Sequence, residues 1–111
     1  VNGHTALISV KFNAEPTCEE LINAFRTYRG RPQLEKLPTA PDHPVVYLDD
    51  PDRPQPKYDV DREGGMSVTV GRLRECPVLD YKFIALGHNT VRGAAGAAIL
   101  NAELMKIDEL L

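Results

Sequence analysis

The sequence predicts an α+β fold in which a mainly antiparallel sheet carries helices on one face. Two observations lead to this prediction. Four segments are rich in β-branched and aromatic residues, which favour strands, and two others carry apolar residues at helical spacing. They follow one another in the order β-α-β-β-β-α, without an internal repeat. A chain of 111 residues with 42% hydrophobic content is suited to one small globular unit.

The first strand and the first helix have the clearest patterns. From Thr5 to Phe12, apolar residues alternate with polar ones, as in a half-buried strand. A helix is predicted from Cys18 to Arg29, because Thr17 and Glu20 have capping-box spacing and apolar residues form a stripe behind them. We expect Gly30 to end this helix.

A proline-rich excursion follows, from Arg31 to Pro56, and holds seven of the nine prolines. The run from Val45 to Leu48 predicts one short strand within it. Further strands are predicted within residues 64–76 and 79–87, which are joined by a link that contains Cys76 and Pro77.

The closing segment, residues 88–111, predicts a helix capped by Asn89 or Thr90. Its Ala and Leu content offsets the roughly 1 kcal/mol that each of Gly93 and Gly96 costs in a helix. The free N–H groups of such a helix start attract phosphate or a polar cofactor edge. However, the glycines lie inside the helix and not in a G-x-G-x-x-G loop, so close approach of another helix is the favoured interpretation.

Charge and composition argue against nucleic-acid and membrane partners. The net charge is −3, and the 13 Lys and Arg residues are scattered along the chain. No apolar run approaches the roughly 18 residues of a membrane span, and we expect no signal peptide. Cys18 and Cys76 form no CxxC pair, which favours a reducing compartment, so the cytoplasm is the expected location.

Several side chains qualify as candidates for chemistry. His4, His43 and His88 lack companions at metal-ligand spacing, so no metal site is expected. We expect His43 to be solvated. His4 follows a glycine at a strand start and suits a general base, although a lone histidine is more often structural. Cys18 could be activated by a helix dipole, but a packing role is favoured. Four arginines could bind an anionic substrate, with solvated faces the favoured role: Arg53, Arg62, Arg72 and Arg74.

Five motifs occur in one order over almost the whole chain: GHTALISVKF, AFRTYRGRPQ, PVVYLDDPDRPQP, GMSVTVGRLREC and LGHNTVRGAAGAAILNAEL. Together they resemble the C-terminal third of the aspartate-semialdehyde dehydrogenase family, in the branch of fungi and archaea. The resemblance implies an NADP-dependent oxidoreductase that interconverts aspartyl phosphate and aspartate semialdehyde, with inorganic phosphate, on the route to lysine, threonine, methionine and isoleucine. It also implies a fold like part of the C-terminal catalytic domain of glyceraldehyde-3-phosphate dehydrogenase.

The resemblance also implies site residues. His4 matches the family's catalytic histidine, an acid and base beside a cysteine nucleophile that passes through a thiohemiacetal and a thioester. Asn89 and Thr90 match the region that closes over the nicotinamide end of NADP. The nucleophile, the glycine-rich phosphate loop and the substrate-binding arginine belong to earlier segments, and neither Cys18 nor Cys76 lies in a matching motif. We therefore expect a fragment that is inactive by itself.

Domain organisation follows from the same resemblance. Residues 1–86 are expected to be part of the catalytic and dimerisation domain, and residues 87–111 a helix that packs on the nucleotide-binding domain. Without that domain, its Ala and Gly face should be buried elsewhere or remain mobile. A homodimer or homotetramer is expected, because an open sheet edge favours pairing. Two alternatives remain: a reductase related to malonyl-CoA reductase, and a non-catalytic dimerisation module.

Overall fold

A computed structural model describes residues 2–111 and contains one four-stranded sheet of order β1-β4-β3-β2. The strands are β1 His4–Val10, β2 Val45–Leu48, β3 Val68–Glu75 and β4 Tyr81–Gly87. Strand β4 pairs antiparallel with β1 and with β3, whereas β2 runs parallel to β3. The predicted α+β class, its four strands and its mainly antiparallel sheet are confirmed.

The helical elements are more numerous than the sequence patterns indicated. The helices are α1 Cys18–Thr27, α2 Arg31–Leu34, α3 Pro56–Asp59 and α4 Gly96–Ile107, with a 3-10 turn at Arg62–Gly65 and a π-helical turn at Val91–Ala95. Helix α2 lies in the proline-rich excursion, for which only one short strand was predicted, and α3 begins at its last residue, Pro56. Each has proline in its first turn, where the missing N–H group removes no helical hydrogen bond.

Helix α1 begins as predicted and ends earlier. The Thr17 hydroxyl accepts the Glu20 N–H at 3.2 Å, and the Glu20 carboxylate accepts the Thr17 N–H at 3.4 Å, so the capping box is confirmed. The prediction that Gly30 ends the helix is wrong. Tyr28 already has an extended ψ of 129°, and Gly30 instead stands at the N-cap of α2.

Aromatic side chains attach α1 to one face of the sheet. Phe25 stacks on Tyr47 with ring centroids 6.1 Å apart and meets Phe83 edge-on at 5.3 Å. Side chains alternate along a strand, so Leu86 on β4 points to the opposite face, where it is 1% exposed. The sheet therefore has packed side chains on both faces.

The closing helix packs within the chain. Leu100 of α4 is buried with Leu37 and Met66, and Gly96 is buried where a Cβ atom would collide with the Met66 sulfur. Part of the Gly and Ala face is thus buried elsewhere, one of the two outcomes expected for it. Gly96 thus permits a close approach, as the favoured interpretation held, but the side chain that approaches is Met66, which lies between the 3-10 turn and β3 and not in another helix.

Thr69 offers a test of the core. Its side chain is fully buried, and its hydroxyl has no hydrogen-bond partner among residues 2–111. Thr69→Val keeps the side-chain shape and removes an unpaired polar group, so we expect stability to rise by about 1 kcal/mol. Urea unfolding measures the change. Val70→Thr, at a neighbouring buried position, is the matched control and should lose stability. A loss in Thr69→Val would show that the hydroxyl is paired.

Candidate functional site

The start of β1 and the end of β4 form one corner of the sheet. His4 pairs with Gly87 in the antiparallel register. The Gly3 N–H donates to Asn89 Oδ1 at 2.9 Å, a contact between residues 86 positions apart. Two of the residues expected from the sequence to serve the same reaction, His4 and Asn89, are therefore held at this corner.

Gly3 determines how the chain enters β1. Its φ of +117° lies where side chains are rarely accommodated, and a Cβ atom there would lie 3.2 Å from Leu86 and 3.3 Å from Val60. Its N–H is held by Asn89. His4, the next residue, is exposed. The backbone before the imidazole is thus packed and hydrogen-bonded, while the imidazole remains accessible.

The turn after β4 is organised by His88, for which the sequence analysis predicted no role beyond excluding a metal site. Its Nδ1 accepts the N–H groups of Thr90 at 3.2 Å and Val91 at 3.1 Å, and its side chain is 6% exposed. An imidazole nitrogen that accepts hydrogen bonds carries no proton, so the ring proton lies on Nε2. His88 therefore caps the closing helix.

The predicted cap position is confirmed, because Thr90 is the N-cap residue, but the capping acceptor belongs to His88. Thr90 makes no capping hydrogen bond with its side chain, and the Asn89 carboxamide oxygen is engaged by Gly3. The sequence did hold a signal for a histidine cap, because Nδ1 of histidine is bonded to Cγ just as Oδ1 of asparagine is. His88 can therefore present an acceptor where asparagine, a common cap, would.

The first turn of the closing helix has π geometry. The Gly93 N–H donates to the His88 carbonyl at 2.9 Å, and the Ala95 N–H donates to the Thr90 carbonyl at 3.0 Å. These i→i+5 bonds widen the turn before α4 begins at Gly96. Such turns are frequent at functional sites.

Comparison with known proteins identifies the family of the chain. The family model of the semialdehyde dehydrogenase dimerisation domain matches residues 1–92. The chain belongs to this family. Aspartate-semialdehyde dehydrogenase of Methanothermobacter thermautotrophicus is 48% identical over 113 residues, covering 100% of this chain and 32% of that protein. The Candida albicans enzyme is 42% identical over 113 residues, covering 100% of this chain and 31% of that protein.

A solved structure agrees with the sequence relatives. The crystal structure of aspartate semialdehyde dehydrogenase with NADP from Candida albicans superimposes with a TM-score of 0.89 at 41% identity, covering 100% of this chain and 32% of that one. The resemblance seen in the five motifs is confirmed. The chain spans about a third of the length of the relatives that it matches.

Both cysteines of this semialdehyde dehydrogenase domain lie far from the corner. Val10 pairs with Tyr81 at the opposite end of β1, about 20 Å from the pair of His4 and Gly87 at 3.4 Å per residue. Cys76 lies in the link just before Tyr81. The Tyr81 hydroxyl donates to the carbonyl of Pro16, which precedes Cys18 by two positions. Neither thiol can therefore serve as partner of His4 within one domain.

Cys76 nevertheless has a polar environment. The N–H groups of Leu79 and Val78 stabilise its thiolate and lower the pKa of the Cys76 thiol. The Leu79 N–H lies 3.4 Å from the sulfur. This loop joins β3 and β4, at the far end of the sheet from His4.

Arg53 and Arg62 serve an internal carboxylate. Asp59 is fully buried and accepts Arg53 Nε at 2.8 Å, Arg62 Nη2 at 2.9 Å and the Gln55 N–H at 2.7 Å. These bonds, led by those from Arg53, lower the pKa of Asp59 to about 2. The favoured expectation of a solvated role is wrong for Arg53 and Arg62, because both turn inward onto this carboxylate.

The other two candidate arginines stay at the surface. Arg72 is exposed and has a φ of 56°, at an irregularity in the pairing of β3 with β4. Arg74 donates to the Arg72 carbonyl at 2.5 Å. The favoured solvated role is therefore retained for this pair.

The buried cluster of Asp59, Arg53 and Arg62 lies in a segment that packs against the corner. Pro56 and Val60 flank the residues up to Asp59, and both lie against Gly3. A Cβ atom on Gly3 would be 3.4 Å from Pro56 and 3.3 Å from Val60. Local sequence patterns do not indicate this contact, because Pro56 lies 53 positions after Gly3, at the end of the proline-rich excursion. Asp59 thus contributes to the packing around the residue before His4.

The remaining histidine pairs with a carboxylate before β2. His43 is half exposed, with Nδ1 3.3 Å from the Glu63 carboxylate. Burial opposes ionisation of Glu63, but hydrogen bonds from the His43 N–H, the Ser67 hydroxyl and the Asp42 N–H lower its pKa. Within residues 2–111 no group of His, Cys, Asp and Glu could hold a metal ion, and no helix is long and apolar enough to cross a membrane.

Proposed function

We propose that this chain is the C-terminal part of an NADP-dependent aspartate-semialdehyde dehydrogenase. The reaction converts aspartyl phosphate, NADPH and a proton into aspartate semialdehyde, NADP and inorganic phosphate, and runs in either direction. One observation carries the proposal: Asn89, the proposed cofactor contact, accepts a hydrogen bond from Gly3. Gly3 directly precedes His4, the proposed acid-base residue, which pairs with Gly87. The two proposed functional residues therefore lie at the same corner of the sheet. The matching relatives are named for this activity.

His4 acts as the acid and base in this proposal. Its imidazole is exposed at a strand start whose backbone is held by Asn89. From there it takes a proton from the attacking thiol and delivers a proton to the oxygen of the reacting carbonyl. The cysteine that attacks comes from a part of the complete enzyme outside these residues, because Cys18 and Cys76 lie near the other end of β1, which is about 20 Å along the strand from His4.

Asn89 and Thr90 are proposed to hold the nicotinamide end of NADP. The oxygen of the Asn89 carboxamide is engaged by Gly3, which directs the carboxamide and leaves its nitrogen as a donor suited to the nicotinamide amide. Thr90 is exposed in the same turn. When bound, NADP accepts or supplies the hydride. The residues present thus fit the polar edge of this cofactor.

The closing helix is proposed to pack on the nucleotide-binding domain of the complete enzyme, with residues 1–86 in the catalytic and dimerisation domain. Leu100 faces inward, but three apolar side chains of α4 are 40% exposed or more: Ile99, Met105 and Ile107. These side chains point in different directions around the helix and are available for contact with another domain.

Assembly and location complete the proposal. Leu7 on β1 is 79% exposed, and it pairs with Ile84 on the sheet face opposite α1. The family model describes a dimerisation domain, and we propose a homodimer or homotetramer. Both cysteines are free, which suits the reducing cytoplasm.

An activity assay tests the function. The complete enzyme should reduce NADP when supplied with aspartate semialdehyde and phosphate, whereas the 111-residue chain alone should give no turnover. NADPH absorbance measures the reaction, and malonyl-CoA with NADPH is the contrasting substrate. Turnover of malonyl-CoA alone would identify the protein as the related reductase. An oligomer without either activity would identify the chain as a non-catalytic dimerisation module.

A further inference from the structure

His88 occupies a rigid position next to the proposed site. Its ring is 6% exposed and lies against Gly65, where a Cβ atom would come within 3.1 Å of Cδ2. Gly65 has a φ of +83°, which also favours glycine. The ring is thus enclosed by a backbone that leaves it little room to turn. Enclosure also keeps it from meeting a substrate.

The enclosed ring directs the backbone that follows it. Nδ1 accepts both the Thr90 and the Val91 N–H groups, and the His88 carbonyl accepts the Gly93 N–H. One residue therefore determines the path of the turn and the start of the π-helical segment. No other side chain hydrogen-bonds to the backbone of Thr90 or Val91 within residues 2–111.

The same turn carries Asn89, whose oxygen holds the Gly3 N–H at 2.9 Å. Gly3 in turn precedes His4. A continuous series of contacts thus runs from the His88 ring to the backbone of His4, and Asn89, the proposed nicotinamide contact, lies in the middle of it. A shift of the turn would move both proposed functional groups.

We propose that His88 is a positioning residue for the reaction. Its unprotonated Nδ1 holds the 88–91 turn in the conformation in which Asn89 faces the cofactor and fixes the backbone before His4. This inference rests on the proposed function, because it assigns His88 a role through His4 and Asn89. The group that matters is the acceptor at Nδ1, and the bulk of the ring is secondary.

Two substitutions in the complete enzyme separate acceptor from bulk. His88→Asn keeps an acceptor on Cγ, and His88→Leu removes it with a side chain of comparable size. Both lose the ring and its Nε2, which lies 3.8 Å from Asp61. We expect kcat to fall on the order of 10²-fold in His88→Leu, the scale for misplaced reacting groups, and by less than about 5-fold in His88→Asn.

The Michaelis constants supply a second readout. The KM for aspartate semialdehyde should change by less than about 3-fold in both variants, since the proposed substrate-binding arginine lies elsewhere, while the KM for NADP should rise in His88→Leu alone. Asp61→Asn is the matched control, because the Asp61 side chain is 85% exposed, and it should keep kcat within about 2-fold.

Several outcomes would overturn the inference. Equal losses in His88→Asn and His88→Leu would assign the effect to the ring itself, and unchanged kinetics in His88→Leu would remove the role. If His88→Leu does not fold, His88→Ala replaces it with the same expected loss. Should both fail to fold while His88→Asn folds, His88 is structural.

His4→Asn in the same assays distinguishes this failure from that of the proposed function. An active parent enzyme, an inactive His4→Asn and a fully active His88→Leu would refute only the role of His88. A parent enzyme without activity on aspartate semialdehyde would refute the proposed function, and the role of His88 would fall with it.

Discussion

Turnover should fall by about 10²- to 10⁴-fold when His4 is replaced by Asn in the complete enzyme, the usual scale for a positioned proton-transfer group. The reason is positional. His4 is exposed at a strand start, and the backbone before it is held by Asn89 and packed against Leu86 and Val60. Its imidazole can therefore exchange protons at a reacting centre without contributing to the core. Asparagine keeps a similar size but cannot transfer the proton.

The rest of the enzyme should be unchanged in His4→Asn. We expect the same melting temperature and the same affinity for NADP, because an exposed side chain is replaced and the Gly3–Asn89 bond is retained. His43→Asn is the matched control, since that imidazole side chain is 56% exposed beside Glu63, and its turnover should stay within about 3-fold. Unfolding of His4→Asn, or turnover within about 3-fold of the parent, would make His4 structural.

The largest expected loss of stability belongs to Asp59→Asn. The carboxylate is fully buried between Arg53 and Arg62 and also accepts the Gln55 N–H. Asparagine removes the negative charge and leaves two partly buried guanidinium groups without a counterion. Breaking such a pair from one side costs about 3 to 5 kcal/mol. Chemical denaturation of the variant and its parent measures this difference.

The pH dependence of stability gives an independent reading of the same group. The pKa of Asp59 is about 2 in the folded chain, below its ordinary value of 3.8. The ionised carboxylate therefore stabilises the fold at pH values above about 4, and the contribution disappears as the pH falls through about 2. The shift corresponds to about 2 kcal/mol. Asp59→Asn should lack this part of the acid-induced loss.

Asp49→Asn is the control for Asp59→Asn. Asp49 also pairs with an arginine, Arg26, at 2.5 Å, but its side chain is 73% exposed. An exposed ion pair contributes less than about 1 kcal/mol. Equal losses in the two variants would contradict a special role for the buried cluster. A larger loss of stability in Asp59→Asn, accompanied by weaker packing around Gly3, would indicate that the buried cluster also stabilises the corner of the sheet.

Local sequence patterns were sufficient to predict the strands and the start of the first long helix. Alternation marked β1, the cluster of β-branched and aromatic residues marked β3 and β4, and the spacing of Thr17 and Glu20 marked the start of α1. These features depend on neighbours within a few positions, so they can be read without knowing the fold. The motif order also led to the family, which the comparisons confirm.

The short helices were missed because proline has two opposite effects. It interrupts a helix from within, which made the excursion from Arg31 to Pro56 appear extended, but it also suits a first helical turn. Pro32 and Pro56 take the second role in α2 and α3. Their helices bury few residues of their own, so periodicity offered no correction.

By itself the sequence determined the fold class, the four strands, the family and the candidates His4, Asn89 and Thr90. Only the tertiary structure decided which distant groups meet: Asn89 with Gly3, and Pro56 and Val60 with the same glycine. The physical reason is that a hydrogen bond has a direction and a short range. Whether a donor reaches an acceptor 86 positions away depends on the register of β1 against β4, which the spacing of residues along the chain does not contain.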